Sequence, residues 1–294
     1  MAGNITQGTN AYEDRYWTSP DGLKLHFRDY AGRADRPPLL CLPGLTRNAR
    51  DFEPVAQRFA GEWRVICPDM RGRGDSEYAR DSESYNPLAY VADIDALLEA
   101  EGIGRFVAVG TSLGGLMTML LALGGAERIA GAVLNDIGPV IETEGLERIR
   151  SYVGQLRSFP TWMHAARALE ESQGDIYPDY EISDWLRMAK RLMDCTGSGR
   201  ITFDYDMKIA EPFRQPGGES ASPNMWPAFE ALAGRPVVAI RGELSDILSD
   251  ATLKVMAARL PGMVSVTVPR TGHAPTLDEP EALDAIARLL DSVA

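Results

Sequence analysis

Gly110-Thr111-Ser112-Leu113-Gly114 fits the pattern G-x-S-x-G, and it stands between an apolar run ending at Val109 and a helical pattern continuing from Ser112 to Leu123. A sharp strand-to-helix turn of this kind pushes a serine hydroxyl out at the carboxyl end of a strand, where open α/β sheets bind ligands. Gly114 and Gly115 cost helix propensity where they stand, so close approach to neighbouring backbone is expected to require them. A serine hydroxyl is a poor nucleophile near neutral pH and needs a base to take its proton. The chain offers three histidines. His26 lies in the strand-like Lys24-Leu25-His26-Phe27-Arg28 and is expected to pack or face solvent, while His164 sits on a helical pattern without a rigid mounting. His273 follows the run Val264 to Val268 in a loop, Pro269 to Pro275, that suits a side chain reaching over the sheet edge. It is the expected general base.

The third group must accept the other imidazole proton and hold the ring in the right tautomer. Asp246 follows the run Val237 to Ile240, and Asp136 follows the run ending at Leu134. Both lie just past a strand's carboxyl end, either satisfies the chain order Ser-Asp-His, and Glu243 and Asp250 are weaker rivals. Acyl transfer also needs donors aimed at the oxygen that becomes negative. The backbone N–H of Leu113, directly after the serine, is one, and the loop Leu42 to Asn48 supplies the other, expected at Leu45.

Elements that position these residues are visible as patterns. Arg15 to Thr18 and Leu23 to Tyr30 flank the turn Ser19-Pro20-Asp21-Gly22, an opening antiparallel hairpin. Short apolar runs follow at Leu39 to Leu42, Val65 to Cys67, Phe106 to Val109 and Ala132 to Leu134, alternating with helical periodicity, which implies an α/β fold with a mostly parallel sheet flanked by helices. One helix is announced by Asn86-Pro87, with Tyr90, Ile94, Leu97 and Leu98 at helical spacing behind it. Between Ile141 and Phe203 no strand-like run is read, so residues 139–226 are expected to be an inserted helical cap, rich in aromatics and loosening at Gln215 to Ser220. Residues 1–138 and 227–294 then form the core, closed by helices over about 250–260 and 280–293.

A net charge of −12 with no basic stripe repels nucleic acid and anionic membranes, and no apolar run reaches the roughly 18 to 20 residues that cross a bilayer. The amino terminus, MAGNITQGTNAYEDRYW, lacks the basic start and apolar centre of a signal peptide, which places the protein in the cytoplasm. Cys41 and Cys67 read as core residues, Cys195 lies in a polar stretch, and no metal-ligand spacing joins them. No cofactor or metal is expected, and the partner is a small-molecule substrate.

Together these residues resemble the α/β-hydrolase superfamily, particularly its cap-bearing esterases, enol-lactonases and carbon–carbon bond hydrolases. Besides the serine turn, Pro68 to Ser76 is similar to the family's D-x-R-G-x-G-x-S loop, and Thr271-Gly272-His273-Ala274-Pro275 to its histidine loop. Pro43-Gly44 departs from the family's common His-Gly, and Asp246 stands four residues after Gly242 where the family's acid often stands three after a glycine. The resemblance favours Asp246 over Asp136 as the acid, because that acid usually follows the strand before the histidine's own. It implies cofactor-free hydrolysis of a carboxylic ester, of small to medium and partly hydrophobic character, through an acyl-enzyme. Lactone or carbon–carbon bond hydrolysis uses the same apparatus, and a ligand-binding receptor on the same fold is the reading from another class.

Overall fold

The computed structural model describes residues 11–214 and 224–294. The first ten residues of the leader reading and the Gln215 to Ser220 stretch lie outside the described residues. The chain runs β1 (Tyr12–Thr18), β2 (Lys24–Tyr30), β3 (Leu39–Leu42), α1 (Glu53–Phe59), β4 (Val65–Pro68), α2 (Pro87–Ala100), β5 (Phe106–Thr111), α3 (Leu113–Gly125) and β6 (Ile129–Asn135). Next come α4 (Thr143–Tyr152), β7 (Ser158–Phe159), α5 (Trp162–Gln173), α6 (Ile182–Leu192), β8 (Met193–Cys195), β9 (Ile201–Phe203), α7 (Glu211–Arg214) and α8 (Trp226–Glu230). β10 (Val237–Gly242), α9 (Asp250–Arg259), β11 (Val264–Val268) and α10 (Pro280–Val293) complete it.

The eight-stranded sheet has the order β1-β2-β4-β3-β5-β6-β10-β11. β1, β2 and β4 pair antiparallel, and every neighbour from β4 through β3 to β11 pairs parallel. Gly22 closes the opening hairpin at φ +90°, its N–H donating to Ser19 O at 2.9 Å. Alternation along β5 divides the core: Phe106 and Ala108 join the layer of α2, α3, α8 and α9, while Val107 and Val109 join that of α1 and α10. Tyr90, Ile94, Leu97 and Leu98 are buried along α2, whose first turn is capped by the Asn86 side chain on Ala89 N at 3.0 Å. Cys41 and Cys67 lie in the second layer and Cys195 is exposed.

β3 sits where the chain reverses its direction across the sheet: its next strand in sequence, β4, lies on one side and β5 on the other. The carboxyl ends of two strands that part in this way leave a crevice between their loops. Those two loops are Pro43 to Asn48 after β3 and the Ser112 turn after β5.

Between β6 and β10 the purely helical expectation needs correction, because β7, β9 and β8 form a separate three-stranded antiparallel sheet. Strands of two or three residues carry too little alternation to stand out from helical periodicity. The legible sign was the turn Thr196-Gly197-Ser198-Gly199, where Gly199 takes φ +77° and joins β8 to β9. This segment has a core cluster of its own, including Ala165, Leu169, Trp185, Met188, Leu192 and Ile201. Among the described residues no helix is long and apolar enough to cross a membrane.

Candidate active site

Ser112 adopts φ +52° and ψ −113°, a conformation that a residue with a Cβ takes only when its surroundings force it. The forcing comes from crowding. A Cβ on Gly114 would run into Leu42 O, one on Gly110 into the Gly114 carbonyl, and one on Gly115 into Ile137. The glycines therefore let α3 press its amino end against β3 and β5, and Ser112 is turned outward above the sheet, its N–H donating to Asn135 O at 3.0 Å.

His273 reaches the serine from the loop after β11. Its Nε2 lies 2.9 Å from Ser112 Oγ, and its Nδ1 lies 2.7 Å from Asp136 Oδ2. Asp136 is fully buried, follows β6 directly at φ +56°, and also accepts Gly242 N–H at 2.8 Å and Ser245 Oγ–H at 2.6 Å. A carboxylate so engaged is an acceptor, so Nδ1 carries the imidazole proton and Nε2 is left to accept from the serine hydroxyl. Asn135 braces the arrangement, its Nδ2 donating to Thr111 Oγ1 at 3.0 Å and to Pro275 O at 2.8 Å.

Asp246 is not the carboxylate against His273, which corrects the expectation from the sequence. It forms a two-point pair with Arg148 of α4, at 2.5 and 2.8 Å. Burial pushes the Asp246 carboxyl up, but Arg148 outweighs it and holds the group below the usual carboxylate range. The reason is positional. β6 lies directly beside β5, whereas β10 is one strand further away, and the turn after β10 spends Ser245 in supporting Asp136. The neighbouring Asp246 is aimed at α4 instead.

The loop after β3 borders the serine. A Cβ on Gly44 would stand 3.8 Å from Ser112 Cβ and 3.3 Å from Arg47 Cγ. Leu45 lines the cavity above Ser112, and its carbonyl accepts two hydrogen bonds from the buried Arg73, at 2.9 and 2.7 Å, which fixes the Leu45–Thr46 peptide. Leu113 is buried at the first position of α3. The Pro68 to Ser76 motif has a use that its pattern does not announce. Asp69 accepts Ala49 N–H at 2.6 Å and His26 Nδ1–H at 2.7 Å, while Arg73 stacks 4.8 Å from the Tyr90 ring centroid and grips Leu45. The motif thus holds the loop beside Ser112. His26, expected to pack or face solvent, is buried between Asp69 and Asp14, while His164 is exposed and bonded to Thr161. His26, Asp69 and Asp75 bring potential metal-ligand atoms within 4.8 Å of one another, but the imidazole is already engaged on both nitrogens.

A cavity of about 330 Å³ opens over Ser112 and His273. Its floor is core, and its walls come from the segment after β6, including Arg148, Ile149, Tyr152, Leu192, Phe203 and Tyr205. That segment also holds the histidine loop: Gly272 N donates to Ile176 O at 2.7 Å, and Tyr177 Oη donates to Ala274 O at 2.8 Å.

Residues 39–286 match the model of the alpha/beta hydrolase family. The chain is 34% identical over 272 residues to a 3-hydroxybutyrate-oligomer hydrolase of Cupriavidus necator, covering 89% of this chain and 91% of that one. It is 26% identical to a 2-(acetamidomethylene)succinate hydrolase of Mesorhizobium japonicum, over 87% of this chain and 88% of that one. Among solved structures, an alpha/beta hydrolase from Novosphingobium aromaticivorans superposes with a TM-score of 0.92 at 66% identity, covering 95% of this chain and 98% of that one.

Proposed function

Because the chain belongs to the alpha/beta hydrolase family, we propose that it hydrolyses a carboxylic ester through an acyl-enzyme on Ser112. The observation that carries this reading is the continuous chain of hydrogen bonds from Ser112 Oγ through His273 to Asp136 at the floor of a cavity. Ser112 Oγ attacks the ester carbonyl as His273 Nε2 takes its proton. The tetrahedral oxyanion forms beside the Leu113 and Leu45 amides, in the role assigned to them from the sequence. Collapse breaks the acyl carbon–oxygen bond, and His273 returns the proton to the departing alkoxide. Water then repeats the sequence on the acyl-enzyme, giving carboxylic acid and free serine with no change of oxidation state. Asp136 holds the imidazole tautomer and stabilises the imidazolium. The described part of the segment after β6, which lines the cavity from Arg148 to Tyr205, acts as a cap. Its lining mixes Ile149, Leu192, Phe203 and Tyr205 with polar groups, which suits a small to medium, partly hydrophobic substrate.

Support also comes from a relative whose name gives 3-hydroxybutyrate oligomers, which are esters, as what it hydrolyses. The test is turnover of p-nitrophenyl esters of short and medium acyl length, run beside lactones and vinylogous diketones. The account expects ester turnover that disappears in Ser112→Ala. Cleavage of diketones or lactones with esters untouched would replace ester hydrolysis with that reaction.

A further inference from the structure

The cavity over Ser112 is cationic in an acidic protein. The chain carries a net charge of −12, yet the charged residues lining the cavity, apart from His273, are Arg47, Arg148, Arg157, Arg191 and one acid, Asp51. The partners of the arginines engage Arg148 at two points and leave donors on the others, among which position selects Arg47. Arg148 gives two N–H groups to Asp246, which is not itself a lining residue, and Arg157 lies 5.6 Å from the centroid of the Phe159 ring. Arg191 approaches Asp278 at 3.5 Å. Arg47 meets a single oxygen of Asp51, at 3.5 Å, the long edge of hydrogen-bond geometry, and both side chains are mostly buried. A guanidinium has five donors in a planar fork, so an end-on contact of that length leaves most of its capacity unused.

Position gives this capacity a use. Arg47 N–H donates to Gly44 O at 3.1 Å, closing the turn that runs past the serine. The point a Gly44 Cβ would occupy is within 4 Å of both Arg47 Cγ and Ser112 Cβ. The side chain therefore starts beside the nucleophile and ends in the cavity wall.

We propose that Arg47 binds a carboxylate of the substrate, so that the preferred esters carry a free, ionised carboxyl group a short chain away from the scissile ester. This rests on Ser112 acting as the nucleophile. The fork of Arg47 can donate to two carboxylate oxygens side by side, whereas Asp51 offers it a single oxygen. Arg148 and Arg191 add positive potential at the same wall, and the acids that pair with them lie outside the cavity lining. Asp51 opposes an anion and partly offsets the charge of Arg47, which limits the cost of leaving the guanidinium buried before substrate arrives. The carboxylate belongs either to the acyl part or to the alcohol part of the ester, and the chemistry at Arg47 is the same.

Two substrate pairs test this, each setting a carboxylate against the near-isosteric neutral primary amide. One is p-nitrophenyl hydrogen adipate against p-nitrophenyl adipamate, with the charge on the acyl side; the other is 3-acetoxybutanoate against 3-acetoxybutanamide, with the charge on the alcohol side. In at least one pair the charged member is expected to have the higher kcat/KM by about ten- to a hundredfold. In Arg47→Met that ratio falls toward one, and Arg47→Lys keeps part of it, with folding of both checked by circular dichroism. Adipate inhibits cleavage of the neutral p-nitrophenyl ester by the wild type, and Arg47→Met weakens that inhibition by about tenfold or more. Neutral esters cleaved as fast as charged ones in both pairs overturn the carboxylate site, as does Arg47→Met lowering both members of each pair by one factor. Failure of the underlying reading looks different: no ester of either charge is cleaved, and a fluorophosphonate leaves Ser112 unlabelled.

Discussion

At Asp136 three hydrogen bonds converge on one buried carboxylate, and only one of them comes from His273. The Gly242 and Ser245 donors fix the acid before the histidine is considered, so an amide in its place would present the wrong hydrogen-bonding face to Nδ1. Asp136→Asn is therefore expected to lower kcat for p-nitrophenyl butyrate by about three to four orders of magnitude while the protein stays folded. Asp246→Asn should remain near the wild-type rate, and the reverse ranking would return the role to Asp246. The position of the two acids left them open, because each follows a strand's end by a residue or a few, and the family resemblance then favoured Asp246. What separates them is the neighbour relation of β6 and β5 and the turn of Ser245, neither of which has a local signature. His26 carries a second expectation. Burial pulls its pKa down, but Asp69, Asp14 and Asp75 outweigh that and hold it above the ordinary 6.5. A raised folded value means that the pairing adds its full stability below the unfolded pKa and loses it as pH rises through the folded one. The Tm deficit of His26→Asn should thus be largest under mildly acidic conditions and shrink in alkaline buffer. An equal deficit across the range would show that charge on His26 is not involved.

The turn between β5 and α3 was legible because its glycines, strand and helix are contiguous in sequence. The structure adds the physical reason, the close approach of Gly114 to Leu42 O. Gly114→Ala must move α3 away from β3, an overpacking cost of about 1 to 3 kcal/mol. Its Tm should fall by several degrees, and labelling of Ser112 by a fluorophosphonate should slow. Unchanged Tm and labelling would mean that the turn tolerates the methyl. The loop from Pro68 to Ser76 was legible as a pattern and opaque as a device. Arg73 reaches Leu45 only because the chain folds the two loops together, with Arg73 following β4 and Leu45 following β3. Short strands β7, β8 and β9 were missed for lack of length.

Across the whole molecule, the alternation of apolar runs and helices announced a mostly parallel sheet, and every neighbour from β4 through β3 to β11 pairs parallel. The segment between β6 and β10 was read as an insertion from its lack of strand-like runs, and its contacts had no local signature, since its hydrogen bonds to the histidine loop join residues 97 positions apart in the case of Tyr177 and Ala274. Tyr177 Oη on Ala274 O is one such tie, at 2.8 Å with both partners buried. Tyr177→Phe removes a donor and leaves the ring, so a loss of about 1 kcal/mol and a Tm lower by a few degrees are expected, with a fall in kcat as the histidine loop loosens. Full activity at lowered Tm would make the tie purely structural. The central claim, that Ser112 carries the acyl group while His273 and Asp136 manage its proton, is tested most directly by trapping the intermediate. The protein is mixed with excess p-nitrophenyl butyrate, quenched in acid and examined by intact mass and peptide mapping. A single butyryl group is expected on the peptide containing Ser112, absent from Ser112→Ala. Ester turnover that leaves Ser112 unmodified under every quench time, or an acyl group on another residue, would contradict it.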